Sequence, residues 1–155
     1  MKPVIIHTLT ENQAQQLHAL YQNEWWACER TLEEVHRLLA GNSLLFALCE
    51  GDTGTLLAFA RVLTDGVFKA LLFDVIVHPA HRGAGLGRTL MSHILSHPVV
   101  SGVRHVELYC RPDRTSYYGE FGFTDDAQKE MVLMRRTGKR EEPSTPPLAH
   151  PPAHP

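Results

Sequence analysis

Residues at helical spacing give way to strand-like runs along this chain in a readable order. After a short apolar stretch at residues 4–8, suited to a first strand, Thr10-Glu11-Asn12-Gln13 has the form of a capping box. Ala14, Leu17, Leu20 and Tyr21 follow on one helical face, so the pattern predicts a helix to about Gln22. A second capping box, Thr31-Leu32-Glu33-Glu34, opens another helix with Leu32, Val35, Leu38 and Leu39 on one side. Gly41-Asn42 stops it.

Three strand candidates come next, at residues 44–49, 56–63 and 67–77. The intervening Gly51-Asp52-Thr53-Gly54 and Thr64-Asp65-Gly66 suit the turns of an antiparallel meander. The third run is apolar on both faces except at Asp74, the pattern of a central strand with helices over it. Pro79 ends that strand, and a glycine-rich turn leads into a helix over residues 85–96. Its buried stripe is Leu86, Leu90, Met91, Ile94 and Leu95. A strand over residues 103–109 follows, then a short helix over 112–118 with Pro112 in its first turn. Phe121-Gly122-Phe123 begins a closing hairpin whose last strand is expected at 131–135. Beyond it the composition turns to Pro, His and charged residues with no apolar face to bury. One domain over residues 1–136 and a disordered tail over 137–155 are therefore expected.

Composition narrows the class. A chain of 155 residues, 43% hydrophobic and 21% charged, is that of one ordinary soluble domain with room for a sizeable core. Its net charge of −2 gives no long-range attraction to nucleic acid or to an anionic membrane. Basic residues gather locally at Arg82/Arg88 and at Arg104/Arg111/Arg114, which leaves a small anionic ligand open. Cys28, Cys49 and Cys110 are odd in number and widely spaced, against a disulfide framework or zinc site. The first residues lack the pattern of a signal peptide, and no apolar run approaches a membrane span. A cytoplasmic protein is expected.

The chemistry-bearing feature is the turn Arg82-Gly83-Ala84-Gly85-Leu86-Gly87-Arg88, set between the apolar strand and a helix. A helix's first turn presents backbone N–H groups without intrahelical partners at the positive end of its dipole. Glycines there let a pyrophosphate approach the backbone closely. The Rossmann spacing fails, because Arg88 and Leu90 stand where its last glycine would fall, and the P-loop's Gly-Lys-Ser/Thr is absent. On the glycines alone, a merely tight connection remains an equal reading.

Arg82-x-x-Gly85-x-Gly87 after an apolar strand resembles the Gln/Arg-x-x-Gly-x-Gly/Ala signature of the GNAT N-acetyltransferase superfamily. Downstream, Tyr117-Tyr118-Gly119-Glu120-Phe121-Gly122-Phe123 is similar to that family's aromatic-Tyr-x-x-x-Gly-Phe element, at a matching separation. The resemblance covers roughly residues 4–135. It implies an α/β fold of α+β type, with a mostly antiparallel mixed sheet whose middle strands splay apart between flanking helices. Acetyl-CoA would lie in the gap as cosubstrate, its pantetheine arm paired with the backbone of Val75 and Val77. A backbone N–H near Ile76 and Val77 would polarise the thioester carbonyl. Arg82, Gly83, Ala84, Gly85, Leu86, Gly87 and Arg88 would grip the pyrophosphate. Direct transfer to a primary amine in a ternary complex is the implied reaction. The alternatives are a catalytically idle acyl-CoA sensor and a longer-chain acyltransferase.

The resemblance assigns Tyr118 as the acid that protonates the departing thiolate, since a phenol with a pKa of about 10 stays protonated at neutral pH. Its plainer reading is an amphipathic core residue, and packing is the reading for Tyr117. Arg111 and Arg114 stand where the family often has asparagine and a small residue. Asp74 is a candidate general base, with burial expected to raise its pKa, against a structural, hydrogen-bonded carboxylate. Glu24 and Glu29 are the alternatives. Trp25, Trp26 and Arg30 are placed at the acceptor, as flat apolar walls and a cation suited to a small molecule with an apolar or aromatic part and a carboxylate. Trp26 reads equally as a core plug. His78 and His81 lack a third ligand, so no metal is expected. Edge-strand pairing common in the family keeps a homodimer open.

Overall fold

The computed structural model describes residues 2–125 and 133–137. Its elements, in order, are β1 (Pro3–Ile6), α1 (Glu11–Gln22), α2 (Leu32–Leu39), β2 (Leu44–Glu50), β3 (Leu56–Thr64), β4 (Lys69–Val77), α3 (Leu86–Ser96), α4 (Pro98–Gly102), β5 (His105–Leu108) and α5 (Thr115–Gly119). Both capping boxes form. Thr10 Oγ1 accepts from the Gln13 N–H while Gln13 Oε1 accepts from the Thr10 N–H, and Thr31 and Glu34 repeat the exchange. Each satisfies two amide donors that a helix start would otherwise leave open.

The strands form one sheet in sequence order, β1-β2-β3-β4-β5, antiparallel throughout except for the parallel β4–β5 pair. The central strands β2 and β3 are buried on both faces, which is why their sequences are almost continuously apolar. On one face Phe46, Leu48, Ala60, Val62 and Leu72 pack against Leu86, Leu90, Met91 and Ile94 of α3. On the other, Leu45, Ala47, Phe59 and Ile76 pack against Leu17, Leu20 and Tyr21 of α1 and Val35 of α2. Each fully buried side chain of this kind contributes about 1.5–3 kcal/mol. Among the described residues, no helix is long and apolar enough to cross a membrane.

Three boundaries differ from the pattern reading. β4 begins at Lys69 rather than at residue 67, because Asp65 Oδ1 accepts from the amides of Val67, Phe68 and Lys69 and holds them in the turn. The five-residue α4 starts where the His97 side chain accepts from the Val99 N–H and Pro98 fills the first turn, so β5 begins only at His105. The closing strand expected at 131–135 falls partly outside the described residues, and residues 133–135 carry no strand. Phe121 and Phe123 pack on the α3-side core instead. The tail from residue 138 lies outside the described residues.

Candidate active site

The site begins with a fault in the sheet. Phe59 pairs with Ile76 and Arg61 with Phe73, so β4 carries one residue more than β3 across this stretch. Asp74 sits at the bulge with φ 58°, in the left-handed region that few residues other than glycine adopt. The bulge changes which way β4 faces. Ala70 and Leu72 lie in the α3-side core, whereas Ile76 lies in the core under α1 and α2. On the other edge, the ladder to β5 stops at the Leu72–Leu108 pair. β5 itself ends at Leu108, so beyond that pair β4 and the segment after β5 are unpaired with each other, and a cleft of about 940 Å³ lined by both opens there.

Asp74 holds the floor of that cleft to the helices. Its side chain, 4% exposed, accepts from Arg61 Nε at 2.7 Å and from Tyr21 Oη at 2.9 Å. Arg30 grips both oxygens, Nη1 to Oδ2 at 2.9 Å and Nη2 to Oδ1 at 3.1 Å. The guanidinium of Arg30 also lies over the Tyr21 and Trp26 rings, 4.5 and 5.3 Å from their centroids. Burial alone would raise this carboxyl, as expected from the sequence. The hydrogen bonds and charges of Arg30 and Arg61 outweigh it, and Asp74 is held below the usual carboxylate range. Two expectations are corrected by this geometry. Asp74 is an ionised anchor with its oxygens engaged, which does not suit a base of raised pKa. Arg30 is spent on Asp74 and is not among the residues facing the cleft.

The glycine turn forms the far wall. Gly83 and Gly85 have φ of 79° and 78°, with open space where a Cβ would stand, so the backbone angle is what demands glycine there. Gly87 answers to a different constraint, since a Cβ would come within 2.7 Å of Tyr117 Oη. Gly85 caps α3 without any side-chain hydrogen bond. The first N–H groups of α3 thus have no side-chain cap and open onto the cleft, the setting in which an anion binds. Both arginines of the turn already hold carboxylates. Arg82 Nη2 donates to Glu24 Oε1 at 2.9 Å and its Nε donates to the Val77 carbonyl at 3.2 Å, while Arg88 pairs with Glu120.

Tyr118, on α5, faces the cleft from the β5 side with its ring against Tyr117 and Phe123. Burial pushes its phenol up to about 12, with Tyr117 and Cys110 adding to the rise and Arg114 opposing it. The hydroxyl is therefore a proton donor throughout the neutral range. Trp25 stands 55% exposed on the α1–α2 loop, and Trp26 tucks edge-on against Tyr21. Of the catalytic, cofactor and acceptor candidates picked from sequence, all line this one cleft except Ala84, Arg30 and Glu29. Sequence reasoning missed Phe73, Tyr109 and Cys110, which line it just beyond the last β4–β5 pair, and the pairing of Arg82 with Glu24 and of Arg88 with Glu120. The divergence of β4 from β5 was the available signal for the first three.

A five-stranded sheet split at a bulge, with an uncapped helix start beside the split, invites comparison with known proteins. The profile described as Acetyltransferase (GNAT) family matches residues 8–123. The chain belongs to the GNAT acetyltransferase family. A GNAT-family crystal structure from Xanthomonas campestris pv. campestris superposes with a TM-score of 0.72 at 31% identity, covering 88% of this chain and 96% of that one. An uncharacterised N-acetyltransferase of Porphyra purpurea is 29% identical over 81% of this chain and 73% of its own length. The serotonin N-acetyltransferase 2, chloroplastic, of Oryza sativa subsp. japonica is 40% identical over 54% of this chain. The match spans 43% of that relative's length, and 41% of that of the chloroplastic GCN5-related N-acetyltransferase 1 of Arabidopsis thaliana. GNAT membership makes the protein an acyltransferase and implies acyl transfer from acetyl-CoA to a small-molecule or protein amine. The GNAT cosubstrate fits what the residues offer: an unpaired β4 edge for an extended arm, and an uncapped α3 start with two arginines for a pyrophosphate.

Proposed function

We propose that this GNAT protein transfers the acetyl group of acetyl-CoA directly to the primary amine of a small aromatic molecule. The observation that carries the acceptor class is the aromatic part of the cleft lining, where exposed Trp25 and the tilted pair Phe73–Tyr109, 6.3 Å between centroids, offer flat apolar walls. The name of the Oryza sativa relative, an enzyme for an aromatic amine, supports the same class.

Acetyl-CoA supplies an activated acyl group with a thiolate leaving group. The chain's own residues do the rest. The β4 edge at Val75 and Val77 pairs with the arm, and an N–H at the bulge polarises the thioester carbonyl as charge builds on its oxygen. The α3 start, Arg82 and Arg88 receive the pyrophosphate. As the C–N bond forms and the C–S bond breaks, Tyr118 Oη gives its proton to the departing sulfur, and the proton shed by the amine nitrogen passes to solvent, from which Tyr118 is reprotonated. Asp74 acts as a positioning residue, fixing the bulge and, through Arg30, the acceptor loop.

The test is thiol release from acetyl-CoA across a panel of aliphatic, aromatic and peptide amines, with product masses. Aromatic ethylamines such as tryptamine should be acetylated fastest, one thiol per product. Binding of acetyl-CoA with no thiol release from any amine would replace this reading with that of an acyl-CoA sensor.

A further inference from the structure

Two carboxylates, Glu24 and Asp74, are among the described residues lining the cleft. They are held very differently. Asp74 is saturated by Tyr21, Arg30 and Arg61. Glu24, on the loop after α1 and 20% exposed at its side chain, is ion-paired to Arg82. That arginine belongs to the glycine turn, and its Nε also covers the Val77 carbonyl. Arg82 thus bridges the acceptor loop and the cofactor wall, across a sequence separation of 58 residues. It occupies a β4 carbonyl the arm needs while being held away from an anion it is placed to receive.

The geometry points to Glu24 as the acceptor-binding carboxylate, masked by Arg82 until the cosubstrate's pyrophosphate draws that arginine away. This inference rests on the reading of the cleft as an acetyl-CoA-dependent amine acetylation site. A diphosphate carries more charge than a carboxylate and meets Arg82 together with the α3 amides and Arg88, so it wins the guanidinium. Glu24 is then left beside Trp25 and Trp26 without its cation. The group that satisfies a carboxylate in a cleft also lined by Trp25 and Trp26 is an ammonium on an aromatic frame, which can pair a charge-assisted hydrogen bond with contact to an aromatic face. Binding is therefore ordered, cosubstrate first; the acceptor docks as its ammonium and sheds that proton to solvent before the free amine attacks the thioester.

Calorimetry with CoA and tryptamine, alongside initial rates with acetyl-CoA, separates this from a structural role. Wild type should bind tryptamine in the presence of CoA and about two- to fivefold more weakly without it, the factor by which masking also weakens CoA. Glu24→Gln should bind CoA about two- to fivefold more tightly, since the competing half-exposed ion pair is gone. The same variant should raise the tryptamine Kd on the CoA complex, and its KM, about tenfold or more. Glu24→Asp, which keeps the charge, should recover most of that loss. Arg82→Gln should bind tryptamine without CoA. Opposite signs for the two ligands are the signature. If Glu24→Gln weakens both ligands together or changes neither, or if wild type binds tryptamine equally with and without CoA, the inference is overturned. A wild type that neither binds CoA nor acetylates any amine overturns the underlying reading instead.

Discussion

Replacing Asp74 with asparagine tests how the site is held together. Asparagine tolerates the left-handed angle that Asp74 adopts, so the bulge itself is not strained by the change. What is lost is the negative charge between Arg30 and Arg61, whose side chains are 26% and 15% exposed. Even with its oxygen kept towards the three donors at Oδ2, the new amide sets its NH2 against the Arg30 Nη2 donor. Breaking a buried ion pair costs about 3–5 kcal/mol, and the partial exposure of both arginines puts this case near the lower end. For a domain of this size about 3 kcal/mol lowers Tm by roughly 6–12 °C. The pH dependence has a definite sign. Asp74 is depressed in the folded state, so its contribution is present above the unfolded carboxyl pKa and lost as pH falls through the folded one. The gap in Tm between wild type and Asp74→Asn should be constant from pH 5 to pH 7 and should shrink below about pH 4. The assay is thermal melting across pH, paired with acetylation rates at a temperature where both proteins are folded. An unchanged Tm with a kcat loss of about a hundredfold or more would refute the anchoring argument and restore Asp74 as a general base.

The other perturbations act on single contacts. Gly87→Ala places a methyl against Tyr117 Oη and should cost about 1–3 kcal/mol in chemical denaturation, while weakening acetyl-CoA binding by displacing the α3 start. Trp25→Ala removes an exposed wall, so Tm should move little (about 0.5 kcal/mol or less) while the tryptamine KM rises severalfold in initial-rate measurements. A matching loss with small aliphatic amines would show that Trp25 supports the loop rather than the acceptor.

Local signals in the sequence were readable because they are satisfied locally. The boxes at Thr10 and Thr31 close within four residues, Pro79 stops β4, and the glycines at 83 and 85 mark backbone angles that other residues resist. Near-continuous apolar runs located β2, β3 and β4 because both sheet faces are covered. The five-residue α4 is too short for any periodicity to reveal. Asp74 stood out as the charged residue of an apolar strand, yet its meaning depended on partners 53, 44 and 13 positions away, which no spacing rule connects. The same distance hid the fate of Arg30. Beside two tryptophans it reads as a cation offered to a ligand, whereas folding turns it inward to neutralise a buried carboxylate. Glu24 and Arg82 were each noticed singly, and only the chain's return across the sheet brings them together.

The account rests on a cleft in which Tyr118 delivers a proton to the sulfur that leaves. Steady-state acetylation of tryptamine by Tyr118→Phe, with acetyl-CoA affinity measured on the same preparation, tests that most directly. The phenylalanine ring keeps the packing against Tyr117 and Phe123, so cofactor affinity should stay within about twofold while kcat falls about 10²–10⁴-fold. A variant that binds acetyl-CoA normally and turns over at the wild-type rate would contradict the account.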